Sequence, residues 1–154
     1  MKAGQLLVGN FDARIAKIEI KPKGPNSKIV IHAKMYDEND EKKINTKIHF
    51  NDVAAVEFCI NFFDHSIGAE AFGLYEIKDV DFVDSVVKRN YVRRKEVYLL
   101  EGDYAYDPSD PADMLNVFDL SETYQKEKET YHAFVQNVDA GVYIIIAKGY
   151  QIVR

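Results

Sequence analysis

Two stretches that alternate between apolar and polar residues, separated by a dense knot of turn formers, narrow the folds open to this chain more than any other feature. In Arg14–Lys21, Ala16, Ile18 and Ile20 fall on one side, and Lys17, Glu19 and Lys21 on the other. In Lys28–Tyr36, Ile29, Ile31, Ala33 and Met35 share a side. A period of two belongs to a half-buried strand. The intervening Pro22-Lys23-Gly24-Pro25-Asn26-Ser27 supplies turn geometry, so the pair predicts a β-hairpin. After a charged turn over Asp37–Lys43, Ile44–Phe50 repeats the pattern with Ile44, Thr46, Ile48 and Phe50 inward.

Asn51–Phe63 fits two periods. As a strand it aligns Val56, Phe58, Ile60 and Phe62; as a helix capped by Asn51 it aligns Val53, Val56, Ile60 and Phe63. Its aromatic and β-branched content favours the strand. Phe72–Ile77 reads as a further strand. Val80–Asn90 is the predicted helix, with Asp79 as cap, Asp81 and Asp84 near its positive end, and Lys88 and Arg89 near its negative end. Val83, Val86, Val87 and Asn90 form its stripe. Glu96–Leu100 reads as a short strand, Glu101–Asp113 as a loop, and Thr123–Thr130 as a short helix behind the capping-box-like Asp119-x-x-Glu122. Tyr131–Val138 and Val142–Lys148 form a closing hairpin around Asp139-Ala140-Gly141, followed by a last strand over Tyr150–Val153. Strands in hairpin order with few helices define an α+β domain, mainly antiparallel sheet with one or two helices packed on it. The first 60 residues lack the strand–helix alternation of a parallel fold.

A length of 154 residues suits a single domain over residues 1–154. With 47% hydrophobic and 29% charged residues, the chain has the balance of a folded globular protein. The single cysteine, Cys59, lies between Phe58 and Ile60 and is expected in the core, with no partner for a disulfide or a zinc cluster. A net charge of −5 repels a phosphate backbone unless positive charge is concentrated locally. That balance disfavours nucleic acid as a partner and is compatible with a basic protein. Leu6-Leu7-Val8 is shorter than the ~7–15 apolar residues of a secretory signal, and Val142–Ala147 is far short of the ~20 residues of a membrane span. No membrane partner and a cytoplasmic location are therefore expected.

No P-loop, Gly-x-Gly-x-x-Gly, Gly-x-Ser-x-Gly or His-Glu-x-x-His pattern occurs, so no catalytic residue, metal or cofactor is assigned. His32 and His49 lie opposite the apolar stripes of their strands. Two imidazoles and a carboxylate there could hold a metal, although two exposed histidines are the simpler reading. His132 has no recognisable partner for acid–base work. Asp37-Glu38-Asn39-Asp40-Glu41 fails as a calcium loop because Lys42 and Ile48 replace the glycine and glutamate such a loop requires. The basic run Lys88–Lys95 could hold an anion, but complementing a helix C-terminus and keeping an adjacent strand soluble explains it more simply. The strongest surface candidate is Glu101–Asp113, whose prolines lower the entropy lost on binding and whose carboxylates suit a basic partner. Within it, Tyr104, Tyr106, Asp107 and Asp110 are the predicted partner-binding residues.

Tyr131-His132-Ala133-Phe134, Asp139-Ala140-Gly141-Val142-Tyr143 and Ile146-Ala147-Lys148-Gly149-Tyr150 resemble the tail of small, poorly characterised bacterial β-rich proteins. Some of these lie near polymorphic-toxin genes and are suspected immunity proteins. The resemblance covers the C-terminal hairpin alone and implies no functional residue. Three readings follow. The first is a non-catalytic protein-binding module, such as an immunity-type inhibitor of a basic partner. The second is an enzyme or small-ligand binder whose site gathers scattered residues, with His32, His49, Glu57 and Tyr75 to inspect for convergence. The third is a homo-oligomeric structural module.

Overall fold

The alternating stretches become the middle of one large antiparallel sheet. The computed structural model describes residues 4–21, 27–37, 42–60, 70–100, 107–110, 113, 122–138 and 141–154. In chain order these form β1 (Gln5–Lys21), β2 (Lys28–Asp37), β3 (Lys42–Asn51), β4 (Ala55–Ile60), β5 (Glu70–Ile77), α1 (Val80–Leu100) and α2 (Glu122–Glu127). A 3-10 turn (Lys128–Thr130), β6 (His132–Val138), β7 (Gly141–Ala147) and β8 (Gly149–Val153) complete the series. The fold is α+β, as the sequence predicts. Among the described residues no helix is long and apolar enough to cross a membrane.

The strand order is β4-β7-β6-β5-β1-β2-β3-β8, and its connections force the sheet to roll up. β7 and β8 stand six places apart in that order, ~29 Å in a flat sheet. Only Lys148 separates them in sequence, and Ala147 and Gly149 can be at most ~7.6 Å apart. β3 and β4 stand equally far apart and are joined by Asp52-Val53-Ala54. Hydrogen bonds lace this closure: Lys148 N donates to Asn51 O at 3.1 Å, Ala54 N to Ile146 O at 2.8 Å, and Val53 N to Ser27 O at 3.1 Å. Asp52 takes φ 51° at the crossing, a left-handed conformation that Asp tolerates better than most side chains.

Rolling gives the sheet an inner and an outer face. The inner core holds Ile29, Ile31, Ala33, Met35, Ile48 and Phe50 of β2–β3, with Leu74, Phe134, Tyr143 and Ile145 from the opposite wall. On the outside, Val83, Val86 and Val87 of α1 pack against Ala55, Ile77, Ala133 and Ile146. Glu57 holds the helix from its flank, accepting two hydrogen bonds from Arg89 at 3.0 Å each, and Asn90 Nδ2 donates to Val56 O at 3.0 Å.

Several boundaries differ from expectation for physical reasons. β1 begins at Gln5 rather than Arg14 because its first half pairs with β5 and its second half with β2. A bulge between Ile15 and Lys17 turns Ile15 toward the core and leaves Ala16 exposed. Glu96–Leu100, read as a strand, is the last part of α1. Its apolar run suits a strand locally, but no breaker follows Asn90, and Arg93–Glu96 (2.9 Å) continues the helical i,i+3 pattern. Cys59, expected in the core, is exposed, because β4 alternates and Cys59 faces outward while Val56 and Ile60 pack inward. Strand is the conformation of residues 55–60; Asn61–Phe63 lie outside the described residues, as do Asp119 and the loop residues Asp139 and Ala140.

Candidate functional site

The residues singled out from sequence do not assemble into one site. Tyr104 and Tyr106 lie outside the described residues. Asp107 and Asp110 share an exposed turn in which Asp110 N donates to Asp107 O at 3.3 Å. Asp107 Oδ1 accepts from Ser109 N at 2.8 Å and from Ser109 Oγ at 2.7 Å, while Asp107 N donates to the Asp113 carboxylate at 3.0 Å. The Ser109 hydroxyl and amide hold the Asp107 carboxyl below its ordinary range. Much of the Asp107 carboxylate therefore serves the turn itself.

The alternative cluster divides: His32 and His49 share the outer face of β2–β3, apart from the other two. Glu57 faces α1, Tyr75 stands on β5, and His32 and His49 sit on β2 and β3. No group of three or more metal-ligating side chains occurs among the described residues. His132 does have a partner that sequence reading missed: Nδ1 lies 2.6 Å from Glu76 Oε1, and Lys78 Nζ lies 3.6 Å from the other oxygen. The β5–β6 register pairs Glu76 with Phe134, a long-range contact that a single strand pattern cannot reveal. Among the described residues no Ser, Thr or Cys side chain hydrogen-bonds to this pair. The basic run lies within α1, not at its end, and is largely matched. Lys88 pairs with Asp84 at 2.6 Å, Arg89 with Glu57 at 3.0 Å, and Arg93 with Glu96 at 2.9 Å.

A set of residues that includes His32 and His49 does converge, on the outer face of β1–β2–β3. With Ile29, Ile31, Ala33 and Met35 committed inward, the alternate positions must point out. The register then stacks them in cross-strand rows: Glu70 of β5 beside Arg14 beside Lys34; Lys17 beside His32 beside Lys47 beside the exposed Val153; Glu19 beside Val30 beside His49 beside Gln151; Lys21 beside Lys28. The six cations in these rows are all exposed, and Glu19 is the one carboxylate among the described side chains of the four rows. Lys28, Lys34 and Lys47 make no ion pair among the described residues. Neighbours in a row are ~4.8 Å apart and successive rows ~6.7 Å.

The electrostatics of this face are one-sided. Lys17 and Lys21 both bond Glu19, Lys21 at 3.2 Å, and His32 Nε2 lies 3.5 Å away. Lys17 first, then Lys21, hold the Glu19 carboxyl down to about 2. His32 Nε2 is buried without a hydrogen bond, its distance to Glu19 being too long for one. Burial pushes His49 below the ordinary imidazole range, and the charges of Lys21, Lys28, Lys47 and His32 push it the same way. Val30 is 2% exposed although it faces outward; long aliphatic stems beside it can cover a small side chain while their charged ends stay in water.

Fold and face together describe a rolled antiparallel sheet with a cationic outer surface. Comparisons with protein-family models, curated proteins and solved structures gave no match.

Proposed function

We propose that this chain is a non-catalytic binding module that takes an anionic partner on the outer face of β1–β2–β3. One observation carries the reading. Arg14 faces Lys34 and Lys21 faces Lys28 directly across strands, and although Glu70 stands opposite Arg14 and Glu19 pairs with Lys21, Lys28, Lys34 and Lys47 have no ion-pair partner among the described residues, in a chain whose net charge is −5. Like charges directly opposite destabilise a sheet, and a mixed-sign face would solvate it without that cost. A bound anion offsets the repulsion. Net negative charge disfavours polyanions only where positive charge is dispersed, and here it is concentrated.

The acidic turn supports a basic partner less well, because Asp107 is engaged with Ser109 and Asp113. Face-to-face pairing of two copies through the cationic rows is disfavoured by their mutual repulsion.

The test is retention on immobilised heparin. Lys28→Glu/Lys34→Glu/Lys47→Glu should elute at much lower salt than the wild type. Lys88→Glu/Arg93→Glu/Lys126→Glu, with the same net charge, should elute close to the wild type after allowance for its charge. Equal behaviour of the two triple variants would remove the face from the function. Melting curves establish that both variants are folded.

A further inference from the structure

The cationic face is a grid of point charges around a central apolar side chain, Val30, that is already covered, and that combination narrows the partner. Resting on the anionic-partner reading above, we infer that the partner is duplex nucleic acid, held by its phosphates without base readout. Protein-binding surfaces concentrate their energy in aromatic, Met and Arg anchors at a desolvated centre, where Lys is depleted. Here the centre is Val30, already covered at 2% exposure, and the surrounding charges are mostly lysine. The rings in these rows are the half-buried imidazoles of His32 and His49, and no Phe, Tyr or Trp occurs among the described side chains of the rows. A single strand bound without sequence preference uses exposed aromatic rings as stacking platforms, so their lack favours a duplex whose bases stay stacked. Lys ammonium groups suit phosphate as point charges.

The dimensions agree. From Lys28 to Lys34 the face runs ~20 Å along β2. Phosphates recur every ~3.4 Å per strand along a duplex axis, so this length faces about six on each strand. The charges spread over three strands, ~10 Å wide, as two rows of phosphates flanking a groove would require. A planar bilayer would meet the convex outside of a rolled sheet over a smaller area, and bilayer binding draws on exposed apolar residues inserted at the interface, which the centre of this face lacks.

Fluorescence anisotropy of the full chain with labelled duplexes of about 16 bp, in two unrelated sequences, tests this across about 50–200 mM salt. Both duplexes should bind alike, with log K falling linearly in log salt at a slope of about −4 to −5. Lys28→Gln, Lys34→Gln and Lys47→Gln, each checked for folding, should each weaken binding to both sequences and reduce the slope by about 1. Poly-glutamate or anionic phosphatidylserine vesicles should compete poorly at equal charge. If either competes as well as unlabelled duplex, the nucleic-acid assignment falls while the anion-binding face stands. If the wild type retains no heparin and no duplex, both fall together. Strong preference for one duplex sequence would overturn phosphate-only recognition.

Discussion

At the scale of single residues, His49 makes the cationic face responsive to pH. Its pKa in the folded chain lies below the ordinary imidazole value, from burial first and from Lys21, Lys28, Lys47 and His32 after it. A group whose folded pKa is depressed in this way binds protons more readily when unfolded. Stability associated with His49 is therefore complete above about pH 6.5 and declines as pH falls toward the lowered folded value. Glu19, held at about 2, stays charged through that window; its contribution is complete above the ordinary carboxylate range and is lost progressively as pH falls from there through about 2. A bound polyanion reverses the field on His49 and raises its pKa, so binding takes up a proton and tightens as pH falls. The expected outcome is a melting temperature that drops between about pH 7.5 and 5.5 for the free chain and drops less with duplex present, the difference disappearing in His49→Gln. An identical difference in that variant would exclude His49 as the titrating group. The members of the face were individually legible, since Lys17, Lys21, His32 and His49 oppose apolar stripes. Their assembly was not, because adjacency across strands depends on register and order, which residue patterns in one strand do not encode.

At the scale of elements, the closing hairpin was legible because its alternation and turn chemistry are local, while the length of α1 was not. Val97-Tyr98-Leu99-Leu100 has strand-like composition, and a helix already running through Arg93 overrides that weak preference. Gly141 exposes a constraint beyond turn chemistry. Its φ is +152°, and a Cβ there would lie 2.0 Å from the Cys59 carbonyl oxygen on β4. The glycine serves the β4–β7 pairing, in which Ile60 faces Gly141, as much as the turn. Gly141→Ala should destabilise by about 1–3 kcal/mol through strain and overpacking, and by more if β4 cannot shift. Gly149→Ala is the matched control: a Cβ there meets nothing within 4 Å, so its effect should stay within about 0.5 kcal/mol. Urea unfolding distinguishes the two, and a similar loss at both sites would show that clash with β4 is not the cause.

At the scale of the whole molecule, the decisive feature is the rolling of the sheet. Most of its strands could be read from sequence; that Lys148 carries the chain from one end of the strand order to the other could not. Phe134 of β6 reports the closure directly. Its ring lies 5.3 Å from Phe50 on β3 and 5.4 Å from Tyr150 on β8, strands that stand four and five places away in the sheet. In a flat sheet those rings would be ~19 and ~24 Å apart and energetically independent. In the rolled sheet they form one cluster in which Phe50 and Phe134 are fully buried. Phe134→Ala should therefore cost about 3–5 kcal/mol by chemical denaturation. The sharper experiment is a double-mutant cycle with the milder Phe134→Leu and Tyr150→Leu. Coupling of about 0.5–1.5 kcal/mol is expected for rings in contact, whereas strictly additive losses would mean that β6 and β8 do not meet. Closure also places Gln151 of β8 beside His49, extending the cationic face by a fourth strand. Loss of β8 packing in Tyr150→Leu should accordingly weaken duplex binding less than Lys47→Gln does, because the charges remain on β1–β3 while only their border is disturbed.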